Sequence, residues 1–239
     1  MSTGADQRSI VAWFDTVYAR RGARYLRPVQ AYLVFPELLG IRANDAVLDV
    51  ACGPGVFLRA AAERTSHLHG CDISRVAVGQ AREAAPGALT LVANAEALPY
   101  PSGAFDVVTC LGSLERMLDR PQALREMLRV GAADARYCFL VRNSNTGRWK
   151  YLARSSSRVP SGGHADADTV ENWTTLFRSA GFLVREVLPD QYPLLRWRLW
   201  RRVRLGAAHF RTVSRSGAPL ERANEFIFLL QKGSWTPRP

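Results

Sequence analysis

The stretch VLDVACGPGVFLRAA, residues 47–61, decides how the chain is read. An apolar run meets an acid, Asp49, and continues through Val50 to a small residue, a cysteine and Gly53-Pro54-Gly55. From Val56 the apolar residues recur at helical spacing, so a strand passes into a helix through a two-glycine turn. In an open parallel sheet, ligands bind beyond the carboxyl ends of the strands, which places a site at this turn. Gly53 and Gly55 carry no side chains, so a ligand is expected to approach their backbone. The first N–H groups of the helix beginning near Val56 have no partner within the helix and would face that ligand.

What the turn lacks narrows the ligand. It has neither the G-x-G-x-x-G of dinucleotide sites nor the G-K-[ST] of a P-loop. Asp72 ends the next apolar run, about twenty residues beyond the glycines, where an acid can accept hydrogen bonds from two ribose hydroxyls. The ligand is therefore expected to carry a ribose, and the missing third glycine argues against a pyrophosphate.

Outward from the turn, AVLDVA, HLHGCDI, LTLVAN, FDVVTCL and RYCFLVR are short apolar runs, separated by the helical stretches VFLRAAAERT, RVAVGQAREAA and PQALREMLRV. Such alternation predicts βαβ units and a buried parallel sheet with helices on both faces. FLVREVL and NEFIFLLQK add two further strands, and DTVENWTTLFRSAGF reads as a capped helix ending at Gly181. Ile10, Val11, Phe14, Val17 and Tyr18 predict an N-terminal helix. A second helix is expected from about Pro28 to Leu39, stopped by Gly40. Residues 1–40 are thus read as a helical cap. Residues 41–239 are read as one α/β domain with long connections at 143–168 and 189–222.

The chain has 239 residues, 47% hydrophobic and 22% charged, enough for one large domain with a substantial core. No stretch approaches the roughly 20 apolar residues of a membrane span, and the N-terminus lacks the apolar core of a signal peptide, so a cytoplasmic location is expected. Cys52, Cys71, Cys110 and Cys138 lie in or beside apolar runs without metal-site spacing, and read as small buried hydrophobes. Cys52 alone, in the turn, is a candidate pocket residue. No His, Cys, Asp and Glu cluster is visible, and no metal is expected. The formal net charge is +11, almost all from arginine, with lysine only at Lys150 and Lys232.

LDVACGPG, the acid of GCDIS, ANAEALPYPSGAFDVVTC and LERMLDRPQALREMLRV together resemble class I S-adenosylmethionine-dependent methyltransferases. The nearest pattern is the ubiquinone/menaquinone-biosynthesis-like group, or type 11. The resemblance covers roughly residues 40–188. It implies a Rossmann-like, seven-stranded, mostly parallel sheet, with N-terminal helices and a substrate-side cap. S-adenosylmethionine is the implied cofactor, and S-adenosylhomocysteine the product. Asp49 would face the cofactor's amino-acid end; Ala51, where the family usually has glycine, Gly53 and Gly55 would line it. Asp72 would bind the ribose and Ile73 would pack on the adenine. Asn94-Ala95-Glu96 stands where the family usually has Asp-Ala-Glu, with Asn94 accepting from the adenine amine. Leu111 and Gly112 would border the methionine moiety. Tyr18, Arg24 and Tyr25 would close over the cofactor.

The family often has Leu-Glu-His after the fourth strand; here it is Leu114-Glu115-Arg116, and VGAADARY replaces a Gly-Gly turn before the fifth. Methyl transfer needs alignment of an acceptor lone pair in a dry site, and a base only where the acceptor must lose a proton. His164, in SGGHADAD, and Glu115 are the candidates. Seven arginines and no acid lie between Arg196 and Arg215. Leu195, Leu199, Trp200 and Val203 would share one helical side and Arg198, Arg201 and Arg202 the other. That weak amphipathic pattern suits peripheral contact with an anionic membrane, or capture of an acidic or lipid-linked acceptor. The expectation is methylation of a small molecule, on oxygen first, in glycan or secondary-metabolite biosynthesis. The competing readings are an RNA methyltransferase, favoured by charge, and a non-catalytic cofactor-binding partner protein. No appended RNA-binding module or Asn-Pro-Pro-Tyr signature is present, so nucleic acid is disfavoured.

Overall fold

A computed structural model describes residues 6–146, 167–190 and 219–233. Seven strands form one sheet: β1 Val47–Val50, β2 Leu68–Asp72, β3 Leu89–Val92, β4 Phe105–Leu111, β5 Gly131–Arg142, β6 Phe182–Pro189 and β7 Glu225–Lys232. Their order is β3-β2-β1-β4-β5-β7-β6. β1 to β5 run parallel, while β7 is antiparallel to both β5 and β6. The order reverses between β1 and β4, the switch point beside which a crevice opens at the carboxyl ends of the strands.

The helices are α1 Gln7–Arg21, α2 Val34–Leu39, α3 Val56–Ala61, α4 Arg75–Ala84, α5 Arg120–Val130 and α6 Val170–Ser179. Side chains on α1, α4, α5 and α6 cap their own N-termini: Asp6, Ser74, Asp119 and Thr169 each accept from a backbone N–H three residues on. Successive residues of β4 and β5 point to opposite faces and so feed two cores. Val108, Tyr137 and Phe139 pack with Leu124, Trp173 and Phe177 beneath α5 and α6. Val107, Cys138 and Leu140 pack with Phe35, Phe57 and Leu58 beneath α2 and α3. All four cysteines are buried, reduced thiols. Among the described residues no helix is long and apolar enough to cross a membrane.

Two expectations need correction. The helix from Pro28 to Leu39 is divided into a 3₁₀ turn, Val29–Tyr32, and the short α2. Pro36 has no N–H, and a helix tolerates it in its first turn, where α2 places it, but not in its interior. β5 begins five residues before the run RYCFLVR, at Gly131, which pairs with Phe105 ahead of a register irregularity. The connections 143–168 and 189–222 lie mostly outside the described residues, as do the arginine-rich stretch and His164.

Candidate active site

The chain leaves β1 through three left-handed residues: Ala51 at φ 58°, Gly53 at 52° and Gly55 at 74°. Asp72, at the end of β2, holds this turn. Its Oδ2 accepts from the Gly53 N–H at 2.8 Å and its Oδ1 from the Ser74 N–H at 2.9 Å. Each oxygen keeps a lone pair for another donor. Burial pushes the carboxyl up to about 6, against the pull of those two N–H groups. Asp49 lies beneath the turn, buried, and accepts from Thr109 Oγ1 at 2.6 Å. Burial, with Asp72 nearby, pushes it up to about 7, although the Thr109 bond acts the other way.

Above the strand ends is a cleft that opens to solvent. Ala51, Asp72 and Ile73 form its floor, Ala93 to Glu96 one side, and Ser113 with Arg116 to Leu118 another. Its roof is α1, through Ile10, Phe14 and Tyr18. Those three recur every four residues, so one helix face covers the cleft. α1 is fastened to α4: the Asp15 carboxylate accepts from Ser74 Oγ, and Gln80 Nε2 donates to the Tyr18 carbonyl at 2.9 Å. Arg116 reaches across: its Nη1 donates to the Gly112 carbonyl at 3.1 Å and its Nη2 to Tyr25 Oη at 3.3 Å. Its guanidinium lies 5.4 Å from the Phe14 ring centre.

Beyond β4, Glu115 is 2% exposed. Its Oε1 accepts from the Arg142 N–H at 2.7 Å, while its buried Oε2 has no hydrogen-bond partner among the described residues. Nearby, Arg27 donates to both oxygens of Asp190, at 3.2 and 2.9 Å, and to Glu225. Arg142 approaches Glu225 at 3.7 Å. Buried charges survive only when paired in this way.

Residues 48–139 match the family described as the methyltransferase domain. That stretch, from β1 into β5, is thus similar to a methyltransferase domain. Over 103 residues it is 39% identical to a ubiquinone/menaquinone biosynthesis C-methyltransferase of Hydrogenovibrio crunogenus, covering 39% of this chain and 41% of that protein. Over 100 residues it is 37% identical to the 27-O-demethylrifamycin SV methyltransferase of Amycolatopsis mediterranei, covering 39% and 37%. The chain thus spans about two fifths of the length of these relatives. A Thermotoga maritima structure described as a SAM-dependent methyltransferase, possible histamine N-methyltransferase, aligns with a TM-score of 0.66 at 16% identity. The alignment covers 93% of this chain and 98% of that one.

Of the residues that the resemblance implies, Tyr18, Ala51, Asp72, Ile73, Asn94, Ala95 and Glu96 line the cleft. Two of them are committed to the protein as well. Asn94 Oδ1 accepts from the Glu96 N–H, and Glu96 Oε1 accepts from the N–H groups of Leu118 and Asp119, so the Glu96 carboxylate fixes the opposite rim. Asp49, Leu111, Gly112, Glu115 and Tyr25 are not among the lining residues; Tyr25 stacks edge-on behind Tyr18, at 5.9 Å.

The glycines depart furthest from expectation. A Cβ on Gly53 would lie 2.9 Å from Tyr18 Oη, and one on Gly55 would lie 3.0 Å from the Ala81 Cα. Their missing side chains admit the roof helix and α4. Cys52 is likewise no pocket residue: its Sγ packs against the bare face of Gly70. Sequence reasoning missed Phe14 as roof and Arg116 as wall. The helical repeat of Ile10, Phe14 and Tyr18 was visible, but nothing local says which surface it covers. Among the described residues no three His, Cys, Asp or Glu side chains converge as a metal site.

Proposed function

We propose that this chain binds S-adenosylmethionine in the cleft and transfers its methyl group to the oxygen of a small-molecule acceptor. One observation carries the reading: a buried carboxylate, Asp72, holds the glycine turn while lining the cleft at the carboxyl ends of the strands. The residues present fit that cofactor. Asp72 has lone pairs for the two ribose hydroxyls, Ile73 and Met117 offer apolar surface to a base, and Asn94 offers an amide oxygen. Ala51, and Asp49 below it, face the amino-acid end. Bound there, the cofactor supplies a methyl group already activated on a sulfonium.

The chain's own work is then to orient, to exclude water and to accept a proton. The α1 roof keeps the site dry. Glu115 is the proposed proton acceptor. Arg142 holds its Oε1, which leaves Oε2 to receive the proton of an acceptor hydroxyl. His164 remains the second candidate. In this reading residues 1–40 act as the cap over a domain of residues 41–239, and the enzyme works in the cytoplasm. The arginine-rich stretch recruits an acidic or membrane-associated acceptor. The oxygen in the name of the 27-O-demethylrifamycin SV methyltransferase supports oxygen as the acceptor atom.

Calorimetry tests the first step. S-adenosylhomocysteine should bind, with no response to NAD or ATP. Asp72→Ala should weaken it about 10- to 100-fold, because the hydroxyls lose a charged acceptor. Unchanged affinity in that variant would remove Asp72 from the site. Incubating a small-molecule extract with methyl-¹³C cofactor then identifies the acceptor atom, since the carbon shift separates O-, N- and C-methyl products.

A further inference from the structure

We infer that Arg116 binds the carboxylate of the cofactor's methionine moiety, a role that rests on the proposed function above. Arg116 stands where the family that the chain resembles often has histidine, and a guanidinium is a different instrument. It stays charged at any working pH and presents planar N–H donors that match a carboxylate. Among the described residues that line the cleft, Arg116 is the one Arg, Lys or His.

Charge complementarity selects the target. The cofactor carries a sulfonium, an ammonium and a carboxylate. The floor supplies the Asp72 carboxylate, with Asp49 buried beneath the turn, and these suit the ribose hydroxyls and the cations. They would repel the carboxylate, which therefore belongs near the guanidinium on the other wall. Arg116 is also held in place, not left to swing. Its Nη1 is on the Gly112 carbonyl, just past β4, its Nη2 is on Tyr25 Oη, and the Phe14 ring lies 5.4 Å away. Such a fixed fork loses little further freedom when a carboxylate docks on it. The same contacts tie the carboxylate to the roof: Phe14 belongs to α1, and Tyr25 stacks on Tyr18 of α1. Binding the amino-acid end would thus close the cleft as well as fill it.

The test crosses a protein change with a ligand change. Binding of S-adenosylhomocysteine and of its decarboxylated analogue, S-adenosyl-3-thiopropylamine, is measured by calorimetry on the full chain, wild type and Arg116→Gln. Wild type is expected to prefer the carboxylate ligand by about 10- to 100-fold, the span of a charged hydrogen bond, and Arg116→Gln to lose that preference. The analogue should bind both proteins alike. Arg116→Lys should recover part of the preference, because it keeps the charge and loses the fork. It is the deciding variant if the Gln protein does not fold. Equal weakening of both ligands would overturn the inference, leaving Arg116 as a prop for Phe14 and Tyr25. Unchanged affinity for both would overturn it in favour of an arginine that faces the acceptor. If neither ligand binds wild type, the methyltransferase reading itself fails, a result distinct from either of these.

Discussion

Cofactor affinity should fall steeply in mild acid, for a reason visible in the floor of the cleft. Asp72 ionises near pH 6 in the folded chain and Asp49 near pH 7, both raised by burial. Ribose hydroxyls donate best to an ionised Asp72, and an ammonium pairs only with an ionised Asp49. If binding requires the ionised Asp72 alone, affinity at pH 5 is about tenfold below that at pH 8. If Asp49 must also ionise, the ratio rises towards about a thousandfold. The ligand-free protein should show the opposite trend. An unfolded aspartate ionises near 4, so between about pH 4 and pH 6 the folded chain holds the extra proton. The stability from Asp72 is fully present below that window and is lost as pH rises through it, about 3 kcal/mol in all. Melting curves without ligand should therefore drop from pH 5 to pH 7.5, while the increment added by S-adenosylhomocysteine grows. Calorimetry at constant ionic strength, pH 5 to 8, measures the affinity directly, and Asp49→Asn should flatten the upper part of the profile. An affinity constant within twofold over that range would refute the idea that ionised carboxylates hold this ligand.

Three further outcomes follow from the geometry. Ala51→Gly should raise the melting temperature by about 1–3 °C, since relief of a left-handed alanine, about 1–2 kcal/mol, exceeds the added freedom of the unfolded chain; a lower melting point would show that Ala51 is not strained. Gly55→Ala should destabilise by about 2–4 kcal/mol in denaturant titration, because its Cβ would meet Ala81 backbone at 3.0 Å on top of φ 74°. EDTA should leave both melting temperature and S-adenosylhomocysteine affinity unchanged, and a loss restored by magnesium would assign a metal to the protein.

The parts legible in the sequence are those encoded over short distances. The strand, turn and helix of residues 47–61 announce themselves by a change of period, and Asp72 by its distance from the glycines. The short runs that follow give the sheet. The reason for the glycines was not legible, because a Cβ clash with Tyr18 or Ala81 depends on helices that pack only after the sheet exists. The division of the second helix was available in principle, since Pro36 carries it. Asn94 and Glu96 show a different limit. Sequence pattern marks them as site residues, yet their hydrogen bonds to backbone N–H groups, which build the rim, have no signature in composition or spacing.

Beyond the cleft an ionic cluster is assembled from residues far apart in the chain, and its physics differs from that of the cleft. Arg27, Glu115, Arg142, Asp190 and Glu225 bring three carboxylates and two guanidiniums together at the ends of β5, β6 and β7. Well-packed apolar residues would hold such ends at least as firmly, so stability alone does not explain a buried ionic cluster. Geometry does. Arg27 stands two residues after Tyr25 and fixes the segment beyond the roof to Asp190 and Glu225. Tyr25 in turn meets Arg116 and Tyr18 over the cleft. The directional fork of Arg27 sets the angle at which the roof segment meets the sheet, which a patch of leucines would leave free to slide. The surplus of carboxylate, with Glu115 Oε2 unpartnered among the described residues, then gives this cluster a local demand for a hydrogen-bond donor. In the proposed reaction, the hydroxyl of the acceptor would meet that demand while its oxygen turns to the methyl group.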